Sequence, residues 1–296
     1  MNASHSTIGL IGLGLVGTAL GQRLARAGHE VIGFDRSSEA CAAWVHKGEG
    51  GQIAASPREI GRSCARVVIA VFDTTGVLEV VEGDAGLLEG GSTKALFDCS
   101  TGDPDALQAL AARLGARGVE FLEAPLAGSS RQIAEGTATM LLGGDAAVID
   151  SHATLLEALS PRRIHVGGAG MGARAKLATN LVLGLNRAAL AEGLVFAEKL
   201  GIPATTFLDL VLATPARSDA ALAKGERMVQ DDFTAPQSRI KQHFKDVQLM
   251  LACVQVAQQR LPLTETHAEL LRAAIAAGDG DLDNAAIVRQ IRREKR

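Results

Sequence analysis

The segment Ile8–Leu20, IGLIGLGLVGTAL, constrains this chain more than any other. A short apolar run, Thr7–Ile11, ends in glycines, and a helical run, Val16–Ala27, follows at once. Gly12-x-Gly14-x-x-Gly17 therefore falls at a strand-to-helix turn. Gly12 permits the tight turn, Gly14 lets the backbone approach a pyrophosphate, and Gly17 lets the helix pack closely on the strand. The helix N-terminus adds a site that favours negative charge. A second apolar run, Glu30–Phe34, is followed by Asp35, 18 residues beyond Gly17. A carboxylate there can accept hydrogen bonds from both ribose hydroxyls of an adenosine. It would repel a 2′-phosphate and so favours NAD over NADP, whereas the guanidinium of Arg36 could pair with that phosphate.

The rest of the first half continues the alternation. Arg66–Phe72, Thr93–Asp98, Val119–Leu122 and Ala138–Gly143 read as strands, with helical stretches between them, the earliest being Glu39–Lys47. This order predicts an α/β domain with a mainly parallel sheet. The second half changes character. Ala173–Leu200 has no proline and closes on Gly201 and Pro203, a stop signal. Such a helix would span roughly 42 Å, enough to bridge two domains. Thr205–Ala213, Ala216–Met228, Ile240–Arg260, Thr264–Ala277 and Asn284–Arg293 read as further helices. The boundary is placed in the glycine-rich stretch Gly167–Gly172. This gives an α/β domain over residues 1–168 and an all-helical domain over 169–296, linked by a long helix at about 173–200.

A chain of 296 residues can bury a sizeable core without disulfides or metals. Its cysteines, Cys41, Cys64, Cys99 and Cys253, form no CxxC pair, which disfavours zinc and redox sites and suits reduced thiols in the cytoplasm. The formal net charge is −3, so a nucleic-acid partner is not expected. The basic end, Arg289–Arg296, reads as a solvated helix C-terminus. No Lys or Arg precedes Arg23, so the first apolar run lacks the basic flank of a signal peptide. No run of 18 apolar residues is free of charges and glycines, so no membrane span is expected.

Hydride transfer to a carbonyl needs a grip on the substrate, a proton donor and shielding from water. Of seven histidines, His5, His29, His46, His152, His165 and His267 fall in terminal, loop or surface-like settings, which leaves His243 as the one candidate donor. No histidine pair has metal-ligand spacing with a carboxylate, so no metal is expected. Lys176, in GAGMGARAKLATN at the start of the long helix, is the better donor. Asn180 stands one turn further on the same face. Alanine, leucine and glycine surround the pair, and desolvation would lower the lysine pKa toward neutrality. A snorkelling surface lysine would carry the same spacing.

Several motifs in order resemble the β-hydroxyacid dehydrogenase family, which includes 3-hydroxyisobutyrate dehydrogenase and tartronate semialdehyde reductase. They are the glycine-rich start, FDCSTGDP (Phe97–Pro104), Glu123-Ala124-Pro125-Leu126-Ala127-Gly128, GAGMGARAKLATN, Phe244-Lys245-Asp246, and the closing LPLTETHAELLRAAIAAGDGDLDNAAIV. The resemblance implies a Rossmann-like first domain, a helical second domain and a site in the cleft. It implies Lys176 as general acid and base, with Asn180 orienting it or the substrate. Ser100, Gly128 and Ser129 would hold the substrate, and Lys245 would add a cationic contact while Asp246 holds helix geometry. The cofactor, NAD or NADP, would lie against Gly12, Gly14, Leu15, Val16, Gly17, Asp35, Arg36, Phe72, Asp73, Thr101 and Lys245. The implied partners are a small carboxylated semialdehyde or 3-hydroxy acid and further copies of the chain, as a homodimer or homotetramer.

One departure stands out. Where the family usually has D-A-P-V-S-G-G, this chain has alanine at 127 and serines at 129 and 130, followed by Arg131. Loss of a hydrogen bond to an anionic group costs roughly 1.5–3 kcal/mol, so Ser129, Ser130 or Arg131 would have to compensate, or the substrate differs. Among related readings, a decarboxylating 6-phosphogluconate dehydrogenase would need a longer helical domain. An imine reductase would usually carry Asp or Tyr in place of Lys176. A dinucleotide-binding sensor would be expected to have lost the lysine or the substrate loop.

Overall fold

The computed structural model describes residues 7–46 and 51–294; His5, Lys47, Lys295 and Arg296, invoked above, lie outside them. Two compact units divide after Lys176. The first opens as the glycines require. Strand β1 (Thr7–Ile11) runs through the loop into α1 (Leu15–Arg26), then β2 (Glu30–Phe34), α2 (Ser38–His46), α3 (Pro57–Ser63) and β3 (Arg66–Ile69). There follow α4 (Thr74–Glu82), β4 (Ala95–Asp98), α5 (Pro104–Ala116), β5 (Glu120–Glu123) and β6 (Leu126–Ala127). The unit continues with α6 (Ser130–Glu135), β7 (Thr139–Gly143), α7 (Ala146–Ser151), α8 (Ala153–Leu159), β8 (Arg162–Gly167) and the start of α9 (Met171–Lys199).

The sheet order is β2-β1-β3-β4-β5-β7-β6, with β8 beside β7. The first five strands are parallel, a Rossmann-like arrangement. Their side chains are buried on both faces, as covered parallel strands require. Leu10, Val68, Phe97 and Leu122 enter one core, while Ile11, Ile69, Leu96 and Phe121 enter the other. Trp44 of α2 is seated on Gly21 of α1, where any side chain would collide with its ring.

Some boundaries differ from those read in the sequence. The third strand stops at Ile69 rather than Phe72, because the chain turns out to Asp73, whose carboxylate caps α4 by accepting from Gly76 N–H at 2.8 Å. Two strands, β6 and β8, were not read in the sequence: β6 has two residues, and β8, RRIHVG, has only two apolar residues besides its glycine, with none of its residues fully buried.

The second unit is helical: the remainder of α9, then α10 (Ala204–Ala213), α11 (Asp219–Gln230), α12 (Ile240–Ala252), α13 (Val254–Ala257), α14 (Pro262–Ala276), a 3-10 turn at Asn284–Ala286, and α15 (Ile287–Arg293). The stretch expected as one helix over Ile240–Arg260 breaks at Cys253, and the chain leaves α13 through Gln258 at φ 51°. Over 18 residues α9 has a mean hydropathy of 1.2, which suffices for a membrane-crossing helix by length and composition. Its Leu177, Leu190, Ala191 and Leu194 are nevertheless buried in the helical core, the position of a core helix in a folded unit.

That core contains an ionic clamp. The Asp283 carboxylate is fully buried and accepts from Lys224 Nζ at 2.8 and 2.9 Å, Arg227 Nη1 at 3.2 Å, Gln237 N–H at 2.8 Å and Ala285 N–H at 3.0 Å. Burial pushes its pKa up, but Lys224 and these hydrogen bonds outweigh burial and hold it below the usual carboxylate value. Removing one partner strands the other charge. Asp283→Ala is therefore expected to destabilise the helical unit by about 3–5 kcal/mol in urea unfolding, and a loss below about 1 kcal/mol would contradict the clamp.

Candidate active site

The strand register assembles the edge of the first unit. Ile11 pairs with Phe34 and with Ile69, Ile69 with Asp98, and Asp98 with Glu123. The five carboxyl ends stand in one row, and the loops that leave them carry Gly12–Gly14, Asp35, Phe72–Asp73, Ser100–Thr101 and Leu126–Ser129. In open α/β sheets this is the edge where ligands bind.

The glycine loop differs residue by residue. Gly12 has φ +91°, and a side chain there would strike the Ala70 carbonyl. A side chain at Gly17 would strike the Gly12 carbonyl oxygen. At Gly14 a Cβ would meet nothing within 4 Å among the described residues, so the loop is open where Gly14 precedes α1. Gly14 is the N-cap of α1 and supplies no side-chain cap, which leaves the first amides of the helix, those of Leu15 and Val16 included, to a ligand or water. An open concavity at an uncapped helix N-terminus fits a pyrophosphate. Asp35 braces the same loop: Oδ2 accepts from Leu13 N–H at 2.7 Å and Oδ1 from Ser37 N–H at 2.8 Å. Each oxygen retains a lone pair for a ribose hydroxyl. Arg36 and Phe72 are exposed, and Asp73 and Thr101 are half-buried.

Ser100 is buried, and its Oγ accepts from Val71 N–H at 3.1 Å, tying the ends of β3 and β4. Ser129 is the N-cap of α6 in a capping box: Oγ accepts from Gln132 N–H at 3.3 Å, and Ser129 N–H donates to Gln132 Oε1 at 2.8 Å. Arg131 is exposed and paired with Glu135 at 2.8 Å. Gly128 has extended backbone, and a Cβ there would stand 2.7 Å from Ala138 Cβ.

Lys176 is 8% exposed and donates from Nζ to the Leu126 carbonyl at 2.6 Å. It is thus a buried lysine held by the segment Glu123–Gly128. Glu123, 1% exposed, stands first in the motif Glu123–Gly128, where the sequence assigned it no role of its own. Its Oε1 accepts from Gly170 N–H, and its Oε2 accepts from Ala173 N–H at 2.7 Å, in the first turn of α9. These partners are backbone amides 47 and 50 residues later, which leave no trace in a sequence pattern.

The second unit groups the other candidates. Asn180, on its share of α9, donates from Nδ2 to Asp246 Oδ2 at 2.9 Å. Lys245 Nζ is 3.0 Å from Asp246 Oδ1, so Asp246 engages both. One turn back on α12, His243 stands over Gly184, where a side chain would collide with its ring, and its Nε2 is 3.1 Å from His267 Nε2. His267 was expected near the surface but is 3% exposed, because α14 packs its apolar face, Ala268 and Leu271, into the helical core. Burial and the nearby Arg187 cation push its pKa down to about 4. Arg187, itself buried, is pushed down to about 10 by burial, against the attraction of Asp283 and Asp246.

A parallel sheet whose carboxyl edge carries an open, uncapped glycine turn and a buried lysine is the framework of a dinucleotide-dependent oxidoreductase. Two family models match: the NAD-binding domain of 6-phosphogluconate dehydrogenase over residues 7–168, and the NAD-binding region of NADP-dependent 3-hydroxyisobutyrate dehydrogenase over residues 170–291. The chain is 31% identical to the 2-hydroxy-3-oxopropionate reductase of Escherichia coli, over 96% of each chain. It is 28% identical to glyoxylate/succinic semialdehyde reductase 1 of Arabidopsis thaliana, over 96% of this chain and 98% of that one. A 3-hydroxyisobutyrate dehydrogenase structure from Salmonella typhimurium superposes with a TM-score of 0.86 at 28% identity, covering 96% and 99%. Some matched relatives are longer: the chain spans about half (51%) of the human cytokine-like nuclear factor N-PAC. The chain belongs to the β-hydroxyacid dehydrogenase family, whose members use NAD(P).

His267 gives a pH test. The folded chain holds it neutral down to about pH 4, while the unfolded chain protonates it below its ordinary value of 6.5. The unfolded state therefore binds more protons in that window, and stability falls as pH falls. Between pH 6.5 and 4, wild type should lose roughly 2–3 kcal/mol more than His267→Gln in urea unfolding. Equal losses would refute a neutral His267.

Proposed function

We propose that the chain interconverts a small 3-hydroxycarboxylate and its semialdehyde by hydride transfer, with Lys176 as general acid and base. The observation that carries this reading is the buried lysine, its ammonium fixed by the Leu126 carbonyl beside the carboxyl edge of the sheet. The names of two relatives, a 2-hydroxy-3-oxopropionate reductase and a glyoxylate/succinic semialdehyde reductase, support the substrate class.

A bound NAD(P) would supply or accept the hydride. The loop Gly12–Gly17, with the amides of Leu15 and Val16, would hold its pyrophosphate and Asp35 its adenosine ribose, with Arg36, Phe72, Asp73 and Thr101 as further contacts. During reduction Lys176 Nζ gives its proton to the carbonyl oxygen; during oxidation it removes the hydroxyl proton. Asn180, oriented by Asp246, positions the reacting groups, and Lys245 adds positive charge. Ser100, Gly128 and Ser129 hold the substrate. Using the Ser129 amide for a substrate carboxylate requires Gln132 Oε1 to leave it, since that amide donates to Gln132 Oε1 at 2.8 Å. Asp35 favours NAD by repelling a 2′-phosphate. The four cysteines are free thiols, which suits the cytoplasm.

Absorbance at 340 nm with NADH or NADPH and methylmalonate, tartronate or succinic semialdehyde tests the reading. Oxidation of the reduced cofactor with one of these is expected, and silence across the three would contradict it. Lys176→Ala should lower kcat by about 10²–10⁴-fold with cofactor binding kept; near-normal turnover would remove the role from the lysine. Asp35→Ser should shift the NADH/NADPH ratio of kcat/KM toward NADPH, and an unchanged ratio would remove the assignment of Asp35.

A further inference from the structure

We infer that Glu123 is a positioning residue for Lys176: its carboxylate seats the first turn of α9 on the end of β5 and so sets where the ammonium group stands. The inference rests on the reading of Lys176 as the proton donor. The four residues Glu123–Leu126 grip α9 at two points. At the first, Glu123 accepts from the Gly170 and Ala173 amides. At the second, the Leu126 carbonyl accepts from Lys176 Nζ. The span between is stiff: Ala124 N–H donates to the Asp98 carbonyl at 2.7 Å, and Pro125 has its φ locked by its ring.

The seat is shaped for this group. A Cβ at Gly172 would lie 2.8 Å from Glu123 Cβ and 3.0 Å from Oε2, and one at Gly143 would lie 3.3 Å from Oε2. Glycine at both places lets strand end, carboxylate and helix start close up. At 1% exposure Glu123 does not meet a substrate, so its effect must pass through the helix. A carboxylate suits the task because both of its oxygens accept. An amide would set an NH2 against one of the backbone donors. Burial raises the Glu123 pKa and the neighbouring Asp98 adds to this, while the Ala173 and Gly170 amides pull it back. The helix start and the carboxylate therefore stabilise one another, since the orphan donors of the first turn are satisfied by the charged group.

The test compares wild type, Glu123→Gln, Glu123→Asp and Lys176→Ala in the NADH-linked assay, with cofactor affinity from fluorescence titration. Glu123→Gln should lower kcat by about 10–10²-fold, the scale expected when a catalytic group is displaced by about 1 Å. The KM and affinity for NADH should stay unchanged, and amide exchange at Ala173 should speed up. Glu123→Asp keeps two acceptor oxygens on a shorter arm and should recover part of kcat. If Glu123→Gln does not fold, Glu123→Asp decides: reduced kcat with unchanged KM supports the inference, and wild-type kcat overturns it. Wild-type kcat in Glu123→Gln beside an inactive Lys176→Ala overturns the inference alone. So does a parallel fall of kcat, NADH affinity and melting temperature with no recovery in Glu123→Asp, which marks a brace and nothing more. Full turnover in Lys176→Ala overturns the lysine reading and the inference together.

Discussion

The in-register carboxyl ends of five parallel strands are the constraint on which the site depends. Because Ile11, Phe34, Ile69, Asp98 and Glu123 stand in one row, every loop that follows them emerges on one edge. A slip of one residue in any pair would reverse the facing of that strand's side chains and empty the core on one face. Burial on both faces therefore specifies the register, and the register gathers the glycine turn, Asp35, Ser100 and the Leu126 carbonyl. Packing and site geometry are here the same constraint.

The edge is held by polar groups that act on backbone rather than on one another. Asp35 ties the glycine loop to the residues after β2, Ser100 ties β3 to β4, and Glu123 ties β5 to α9. Each satisfies main-chain donors that the loops would otherwise leave without partners inside the protein. The helical unit uses a different device. Its polar side chains also pair with each other: Asp283, ahead of the 3-10 turn, with Lys224 and Arg227 of α11, and Asp246 of α12 with Asn180 of α9 and the adjacent Lys245. Helix interiors satisfy their own backbone, so what remains to fix their mutual placement is side-chain pairing and apolar contact.

Much of this was legible in advance where the signal was local. The strand-turn-helix at Thr7–Arg26, the second strand ending before Asp35, and the long helix with Lys176 and Asn180 one turn apart follow from glycine conformation, apolar runs and helical spacing. The fate of His267 was not legible: its own segment looks like a surface helix, and only packing against the other helices buries it beside His243. Strands β6 and β8 escaped for a similar reason, since an edge strand needs no apolar alternation of its own.

The sequence by itself determined the dinucleotide turn and the α/β-then-helical order, because these depend on residues near one another along the chain. Tertiary structure alone decided that Glu123 grips the start of α9 and that Asp246 holds Asn180. These bonds reach across 50 and 66 residues, and the reason is common. Each bond is set by where rotamers and backbone donors come to rest once the cores have packed, and residue order does not encode that geometry in any local pattern.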